Sequence, residues 1–307
     1  MPSIYIHVGY PKTATTWLQR RVFPFHPEID YWGSGQPAHR RWIRRILTDS
    51  DTEFDAEEMH GMFLAEHRND ARRHLISWES LIGEQSIASR WNPGLCADRM
   101  KAVFGEVGII VTLRSQLTML PSLYKQYVLE GGDANFKGFL GADGRETGMF
   151  DLDNLEYADT IAMYRATFGA EAVLPCLYEE LSQTPDRFLM RLSTFMGVKP
   201  FALDDSTRAK RDNQNLSQSC IAAMRHWNRI LQSGVARSLS PAQRKFCVAQ
   251  AGRLLTVASR LQSRLMSIAD FDLTDSERRF VHNRYRHGNR RLDQETGLDI
   301  APFRYPD

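Results

Sequence analysis

The chain has 307 residues, 42% hydrophobic and 25% charged, with a formal net charge of +2. This is the composition of an ordinary water-soluble globule, long enough for one large α/β domain or two small ones. No stretch approaches the roughly 18 consecutive apolar residues of a membrane span, and no basic leader with a long apolar core precedes the first strand, so neither a span nor a signal peptide is expected.

Charge and cysteine usage narrow the reading further. From residue 201 onward there are 18 Lys and Arg against 11 Asp and Glu. A basic C-terminal third suits an anionic ligand, and it equally suits a solvated arginine-rich helical surface; no nucleic-acid motif accompanies it. The four cysteines, Cys96, Cys176, Cys220 and Cys247, have no CxxC-type spacing. Cys176 and Cys247 sit among apolar neighbours and read as reduced core residues, which points to a reducing compartment. The histidines are scattered without an HExxH, so no metal site is expected.

In chain order, "SIYIHVG" (3–9) reads as a strand, and residues 15–23 begin a helix. "IDYW" (29–32) is a short edge strand, and a charged helical stretch runs over 55–71. "HLISW" (74–78) and "VGIIVTL" (107–113) are further strands, nearly continuous in apolar character, as strands buried on both faces are. Residues 131–155 are glycine-rich and polar and read as a mobile lid or acceptor-binding loop. "AVLPCLY" (172–178) is another strand. The last part is helical, over 217–232, 241–267 and 276–295. Capping boxes mark two of these helices, one from Thr274 to Glu277 and one from Ser240 to Gln243. Alternating strands and helices predict an α/β fold with a central parallel sheet of about five strands and helices on both faces. The whole chain, 1–307, is expected to form one domain, with 1–200 as the α/β core and 201–307 as a mainly helical extension.

The segment "HVGYPKTATTWLQ" (7–19) carries the chemistry. A strand, a glycine, a tight loop and a helix hold phosphate, because loop amides and the helix dipole face the anion. On the nucleotide-kinase template GxxxxGK[ST], Gly9 fits the first glycine and Ala14 replaces the second. Thr15 takes the place of the lysine and Thr16 that of the magnesium-binding hydroxyl, while Lys12 stands three residues early.

"GYPKTATTWLQ" closely resembles the 5′-phosphosulfate loop of sulfotransferases that use 3′-phosphoadenosine 5′-phosphosulfate (PAPS), typically PK-[ST]-G-T-T-[WA]-L. The resemblance implies that Lys12 stabilises charge on the leaving phosphate. It also implies that Pro11, Thr13, Ala14, Thr15, Thr16 and Trp17 form the 5′-phosphate loop. Ala14 departs from the family's glycine and is tolerable if its backbone is helical. The family's second hallmark is an arginine after the third strand and a serine eight residues later, both on the 3′-phosphate. "IIVTLRSQLTMLPSLYKQY" supplies Arg114 and Ser122, with Gln116 where the family often has proline. A guanidinium at the end of a buried strand is costly without an anion or carboxylate, and its planar fork suits phosphate. "PCLYEELSQTPDRFLMRLSTFMGV" resembles a third family segment, which places Tyr178 near the adenine and leaves Leu181, Phe188, Leu192 and Phe195 as helix core. "RAKRDNQNLS" falls where the family has a basic loop over the 3′-phosphate; its Lys-Gly signature is absent, leaving Lys210 and Arg211 as candidates.

Transfer to a hydroxyl needs a proton acceptor. The family's histidine follows the strand before the arginine strand, and "LISWESL" puts Glu79 there, with a carboxyl that burial beside Trp78 would raise. His26 and His7 are rivals, and Ser77 and Ser80 are candidates to orient sulfate or acceptor. The resemblance therefore implies a PAPS-dependent sulfotransferase with adenosine 3′,5′-bisphosphate (PAP) as product, no metal, and a small-molecule or glycan acceptor. A soluble, bacterial, cytoplasmic enzyme is expected. The alternatives are a P-loop kinase and an inactive nucleotide-binding relative.

Overall fold

The computed structural model describes residues 3–33, 37–66, 72–83, 92–141, 149–204, 217–233, 239–266 and 271–307. Five strands form one parallel sheet: β1 (Ile4–His7), β2 (Ile29–Gly33), β3 (Arg73–Ser77), β4 (Gly108–Leu113) and β5 (Val173–Leu177), in the spatial order β2-β3-β1-β4-β5. The expected short strand at 29–32 is indeed an edge. The pairing brings Ile6 beside Ile76 on one side and Ile109 on the other, and Thr112 beside Cys176.

The strand runs are apolar throughout because both faces are covered. Successive side chains alternate between two cores. Ile6, Ile76, Ile109 and Val111 enter the larger one; Tyr5, Leu75, Ile110 and Cys176 enter the other. The smaller core is closed by α1 (Thr15–Arg21) through Leu18 and by α9 (Pro185–Met196) through Phe188, Leu192 and Met196. The larger is closed by α2 (Pro37–Thr48), α3 (Ala56–Glu66), α4 (Pro93–Phe104), α5 (Gln116–Leu129), α6 (Phe136–Leu140) and α7 (Tyr157–Phe168). Between β5 and α9 lies α8 (Tyr178–Gln183).

Three more helices follow: α10 (Gln218–Gln232), α11 (Pro241–Met266) and α12 (Asp275–Thr296). Ile221 and Met224 of α10 and Val281, Tyr285 and Leu292 of α12 belong to the same core cluster as β1 and β4. Both capping boxes form. Glu277 N donates to Thr274 Oγ1 at 3.4 Å while Thr274 N donates to Glu277 Oε2 at 2.8 Å. Ser240 N donates to Gln243 Oε1 at 2.8 Å, and Gln243 N to Ser240 Oγ at 3.3 Å. Arg284 pairs with Glu156 and Asp153, and Arg291 with Asp159, fastening α12 to the start of α7.

The segment 131–155, expected as a polar lid or acceptor-binding loop, carries a short helix and buried rings where it is described. Phe136, Phe139, Leu140, Phe150 and Leu155 are buried, and Asn135 caps α6 by accepting from Gly138 N at 2.8 Å. The aromatic rings decide this: Phe136 and Phe139 pack on Tyr124, with centroids 5.1 and 5.5 Å away. The stretch 142–148 lies outside the described residues, as do 67–71 of the charged segment after α3. Cys176 is fully buried, and burial pushes its thiol up to about 12; Cys247 is half-buried. No helix among the described residues is long and apolar enough to cross a membrane.

The strand order fixes where a site can form. From β1 the chain leads to β2 on one side; from β4 it leads to β5 on the other. The loops leaving the C-terminal ends of β1 and β4 therefore diverge, and adjacent strands with diverging loops open a crevice in which parallel sheets bind ligands.

Candidate functional site

The loop after β1 first extends along β4. Val8 N donates to Ile110 O at 2.9 Å and Tyr10 N to Thr112 O at 3.1 Å. It then turns on itself, with Thr13 Oγ1 donating to Tyr10 O at 2.5 Å. Gly9 is required at the turn, since a Cβ there would lie 2.8 Å from His7 Nε2 and 3.1 Å from Thr15 Cγ2. Lys12 and Ala14 both have left-handed backbone, φ 64° and 60°. The helical condition on Ala14 is met only in the left-handed sense, so alanine bears a Cβ cost that glycine would not. Among the described residues no acceptor meets the amides of Thr13, Ala14, Thr15 and Thr16. Four neighbouring donors left over in one turn form an anion cradle.

Side chains around the loop divide into anchors and free groups. Thr13 and Thr15 are buried, Pro11 is half-buried, and Thr16 is exposed in the first turn of α1. Trp17 packs against the smaller core. Thr15 Oγ1 donates to Glu79 Oε1, joining the loop to the turn after β3. Burial raises the Glu79 carboxyl above its ordinary range, and the Lys12 ammonium opposes that rise. Lys12 stands exposed on the loop, yet the protein around it lowers its pKa, with Glu79 and Glu130 acting in the opposite sense.

Arg114 is the first residue beyond β4. Its Nη1 donates to Lys12 O at 2.8 Å and its Nε to Thr118 Oγ1 at 3.0 Å. The guanidinium carbon lies 4.6 Å from the centre of the Tyr178 ring, a cation–π distance. Tyr157 OH donates to Arg114 O at 2.7 Å and fixes its backbone. Ser122, half-buried, is one helical turn beyond Thr118 on α5 and so on the same face as the Arg114 contact. Tyr178 opens α8 directly after β5. The resemblance places it near the adenine; in the structure its ring lies against Arg114.

His7 is a core residue. Its Nδ1 is 2.8 Å from Ser77 Oγ and its Nε2 is 2.9 Å from Thr112 Oγ1, and burial lowers its pKa to about 4. Ser77 is thereby occupied, and also accepts from Gln19 Nε2 at 3.1 Å. His26 precedes β2, at the opposite end of the sheet, with Nε2 on Lys199 O at 2.9 Å and Nδ1 accepting from Glu28 N at 3.2 Å. Ser80 is half-buried in the turn after Glu79. Lys210 and Arg211 lie outside the described residues.

Two features escape the sequence reading. Glu179 accepts from Ser115 N at 3.0 Å and from Tyr305 OH at 3.3 Å, and burial raises its carboxyl. Gln116, the departure from the family's proline, is fully buried and exchanges side-chain amide bonds with Asn289 of α12, at 2.9 and 3.1 Å. The position of Glu179 next to Tyr178 was the only available signal for the first; nothing local signals the second.

At the mouth of the β1/β4 crevice, then, Lys12, Arg114, four open amides, Glu79 and Tyr178 come together. Two cations and a donor cradle suit a phosphate or sulfate ester, and a carboxylate of raised pKa beside them suits proton acceptance. No protein-family model matches the chain, and no curated protein matches it. Among solved structures, it is similar to a sulfotransferase from Alicyclobacillus acidocaldarius at 18% identity, over 80% of this chain and 99% of that one, with a TM-score of 0.47. It is similar to the mouse sulfotransferase SULT7A1 complexed with PAP at 14% identity, over 98% of this chain and 89% of that one, with a TM-score of 0.42. A sulfotransferase domain from the curacin biosynthetic pathway aligns at 14% identity, over 92% and 97% of the two chains, with a TM-score of 0.39.

Proposed function

We propose that the chain is a sulfotransferase that moves a sulfuryl group from PAPS to a hydroxyl or amine acceptor. The observation that carries this reading is the hydrogen bond from Arg114 Nη1 to Lys12 O at 2.8 Å. It joins the two motifs that resemble the family, 102 residues apart, at one crevice.

The donor, when bound, supplies the sulfuryl group and a phosphate leaving group. The loop suits it: four amides without acceptors among the described residues are left for the 5′-phosphate, and the Thr13 and Thr15 side chains hold the loop in shape. Lys12 then places its ammonium against the charge that develops on the departing phosphate oxygen. Arg114 and Ser122 hold the 3′-phosphate, with Tyr178 stacked on the guanidinium. Glu79 takes the acceptor proton as the new O–S bond forms and the S–O bond to phosphate breaks, its electron pair leaving with PAP. Thr15 is committed to Glu79 and stands where a kinase needs lysine, which weighs against the kinase reading. The C-terminal helices share the core of the sheet, which supports one domain over 1–307.

Calorimetric titration with PAP in EDTA, on wild type and Arg114→Ala, tests the reading, with ATP plus magnesium as the rival ligand. Micromolar PAP binding that is largely lost in the variant is the expected result. Binding of magnesium-ATP but not of PAP overturns it.

A further inference from the structure

The last turn of the chain is fastened, residue by residue, to the neighbours of Arg114 and Tyr178. Ser115, fully buried, donates its hydroxyl to Arg304 O at 2.8 Å. The Tyr305 hydroxyl donates to Glu179 Oε2 at 3.3 Å. Asn289 Nδ2 donates to Pro306 O at 2.8 Å, and Asn289 is itself paired with Gln116. Arg304 and Tyr305 thus meet Ser115 and Glu179, the residues that follow Arg114 and Tyr178, and Pro306 meets Asn289, the partner of Gln116.

Within this anchored tail, Arg304 stands apart. Tyr305 and Pro306 are buried, whereas Arg304 is exposed. Its backbone is left-handed, φ 57° and ψ 36°, a conformation that glycine and asparagine adopt far more readily than arginine. Its carbonyl does the anchoring, and its guanidinium has no partner among the described residues. The anchoring therefore needs only a backbone at this position, one for which glycine or asparagine is better suited. The guanidinium itself takes no part in the anchoring. That side chain starts one hydrogen bond from the residue following Arg114.

We infer that Arg304 is a second guanidinium of the nucleotide site, delivered by the C-terminal tail to meet, together with Arg114, the 3′-phosphate that distinguishes PAP from AMP. This rests on the PAPS reading above and extends it to a residue that no motif indicates. Two guanidiniums on one phosphomonoester give selectivity for the bisphosphate over the monophosphate.

The test is titration of PAP and of AMP into wild type, Arg304→Ala and Arg304→Gly, with thermal unfolding of each. Arg304→Ala is expected to weaken PAP about 10-fold and to leave AMP within about twofold. Arg304→Gly is expected to weaken PAP equally while raising the thermal midpoint, because glycine relieves the left-handed backbone. That pairing of greater stability with lower affinity has no explanation in a purely structural role. PAP binding by wild type that neither variant alters, or a loss shared equally by PAP and AMP, overturns the inference and leaves the donor reading standing. Failure of wild type to bind PAP overturns the donor reading, and the role of Arg304 falls with it.

Discussion

Glu79 Oε1 accepts the hydroxyl proton of Thr15, so the candidate base and the candidate phosphate loop are one hydrogen-bonded unit. The Lys12 ammonium acts on the same carboxylate, and desolvation by the surrounding protein moves the two pKa values toward each other, Glu79 up and Lys12 down. A base works ionised and Lys12 works protonated. Activity should therefore rise with pH through a value above the ordinary carboxylate range and fall through one below the ordinary lysine range. Radiolabelled PAPS with a panel of phenol and sugar acceptors gives the profile. Glu79→Gln should lower transfer by about 10²- to 10⁴-fold and abolish the acid limb. A variant that keeps the acid limb would assign it to another group.

Lys12 should separate chemistry from binding. Its main-chain carbonyl holds Arg114, and any side chain at this position preserves that contact. Lys12→Ala is expected to lower transfer by about 10²- to 10³-fold, the size of losing one preorganised donor to developing charge. PAP affinity should fall by less than about tenfold. An equal loss in both would place Lys12 in ground-state binding alone.

Ala14 carries a measurable backbone cost. Its φ of 60° puts Cβ against the following carbonyl, which costs about 1–2 kcal/mol in the left-handed region. Glycine removes that cost and loses part of the gain to unfolded-state entropy. Ala14→Gly should stabilise the protein by about 1 kcal/mol, close to 2 °C in thermal midpoint for a chain of this size. A destabilised variant would show that the alanine methyl group packs better than its backbone suggests.

The sheet and most of the site could be read from the sequence because each part is local. β4 is legible because all six residues from Gly108 to Leu113 are buried, and Arg114 because it breaks that apolar run. The loop reads from eight consecutive residues. What stayed hidden depends on backbone angle or long-range contact. The left-handed turn at Ala14 has no glycine to announce it. Glu179 looks like an ordinary helix-start acid until Tyr305, 126 residues away, meets it. The segment 131–155 misled because its glycines and charges outnumber Phe136, Phe139 and Phe150, which decide its burial. In α2, Trp42, Ile43 and Ile46 point into the core from a helix otherwise crowded with arginine, and the charge masks the stripe.

The Gln116–Asn289 pair should behave as one unit. Both are buried, and each amide satisfies the other; Gln116 also donates to Leu155 O at 3.2 Å and Asn289 to Pro306 O. Asn289→Ala leaves buried acceptors unpaired and should cost about 2–4 kcal/mol in urea unfolding. Gln116→Ala should cost a similar amount, and the double variant less than the sum, with coupling of about 1–2 kcal/mol. Gln116 is the first residue of α5, where proline is tolerated. Gln116→Pro should therefore cost no more than Gln116→Ala, and a much larger loss would show that the backbone N–H matters.

His7 supplies a pH signature of the core beneath the site. Its ring is fully enclosed between Ser77 and Thr112, and its pKa is lowered to about 4. The unfolded chain binds a proton near pH 6.5, so the neutral ring contributes stability that is complete above that value. The contribution is lost as pH falls from about 6.5 toward 4, by about 3 kcal/mol in total. Glu79 and Glu179, whose carboxyls burial raises, act in the opposite sense in the acid range, so the comparison is made against His7→Gln, in which their effects cancel. The stability difference between wild type and variant should shrink steadily over that window. In the wild type the imidazole proton resonance of His7 should hold its neutral position through pH 6.5 and titrate with a midpoint near 4. A midpoint near 6.5 in the NMR titration would mean that the ring is reached by solvent and that the polar pair on either side of it does not hold.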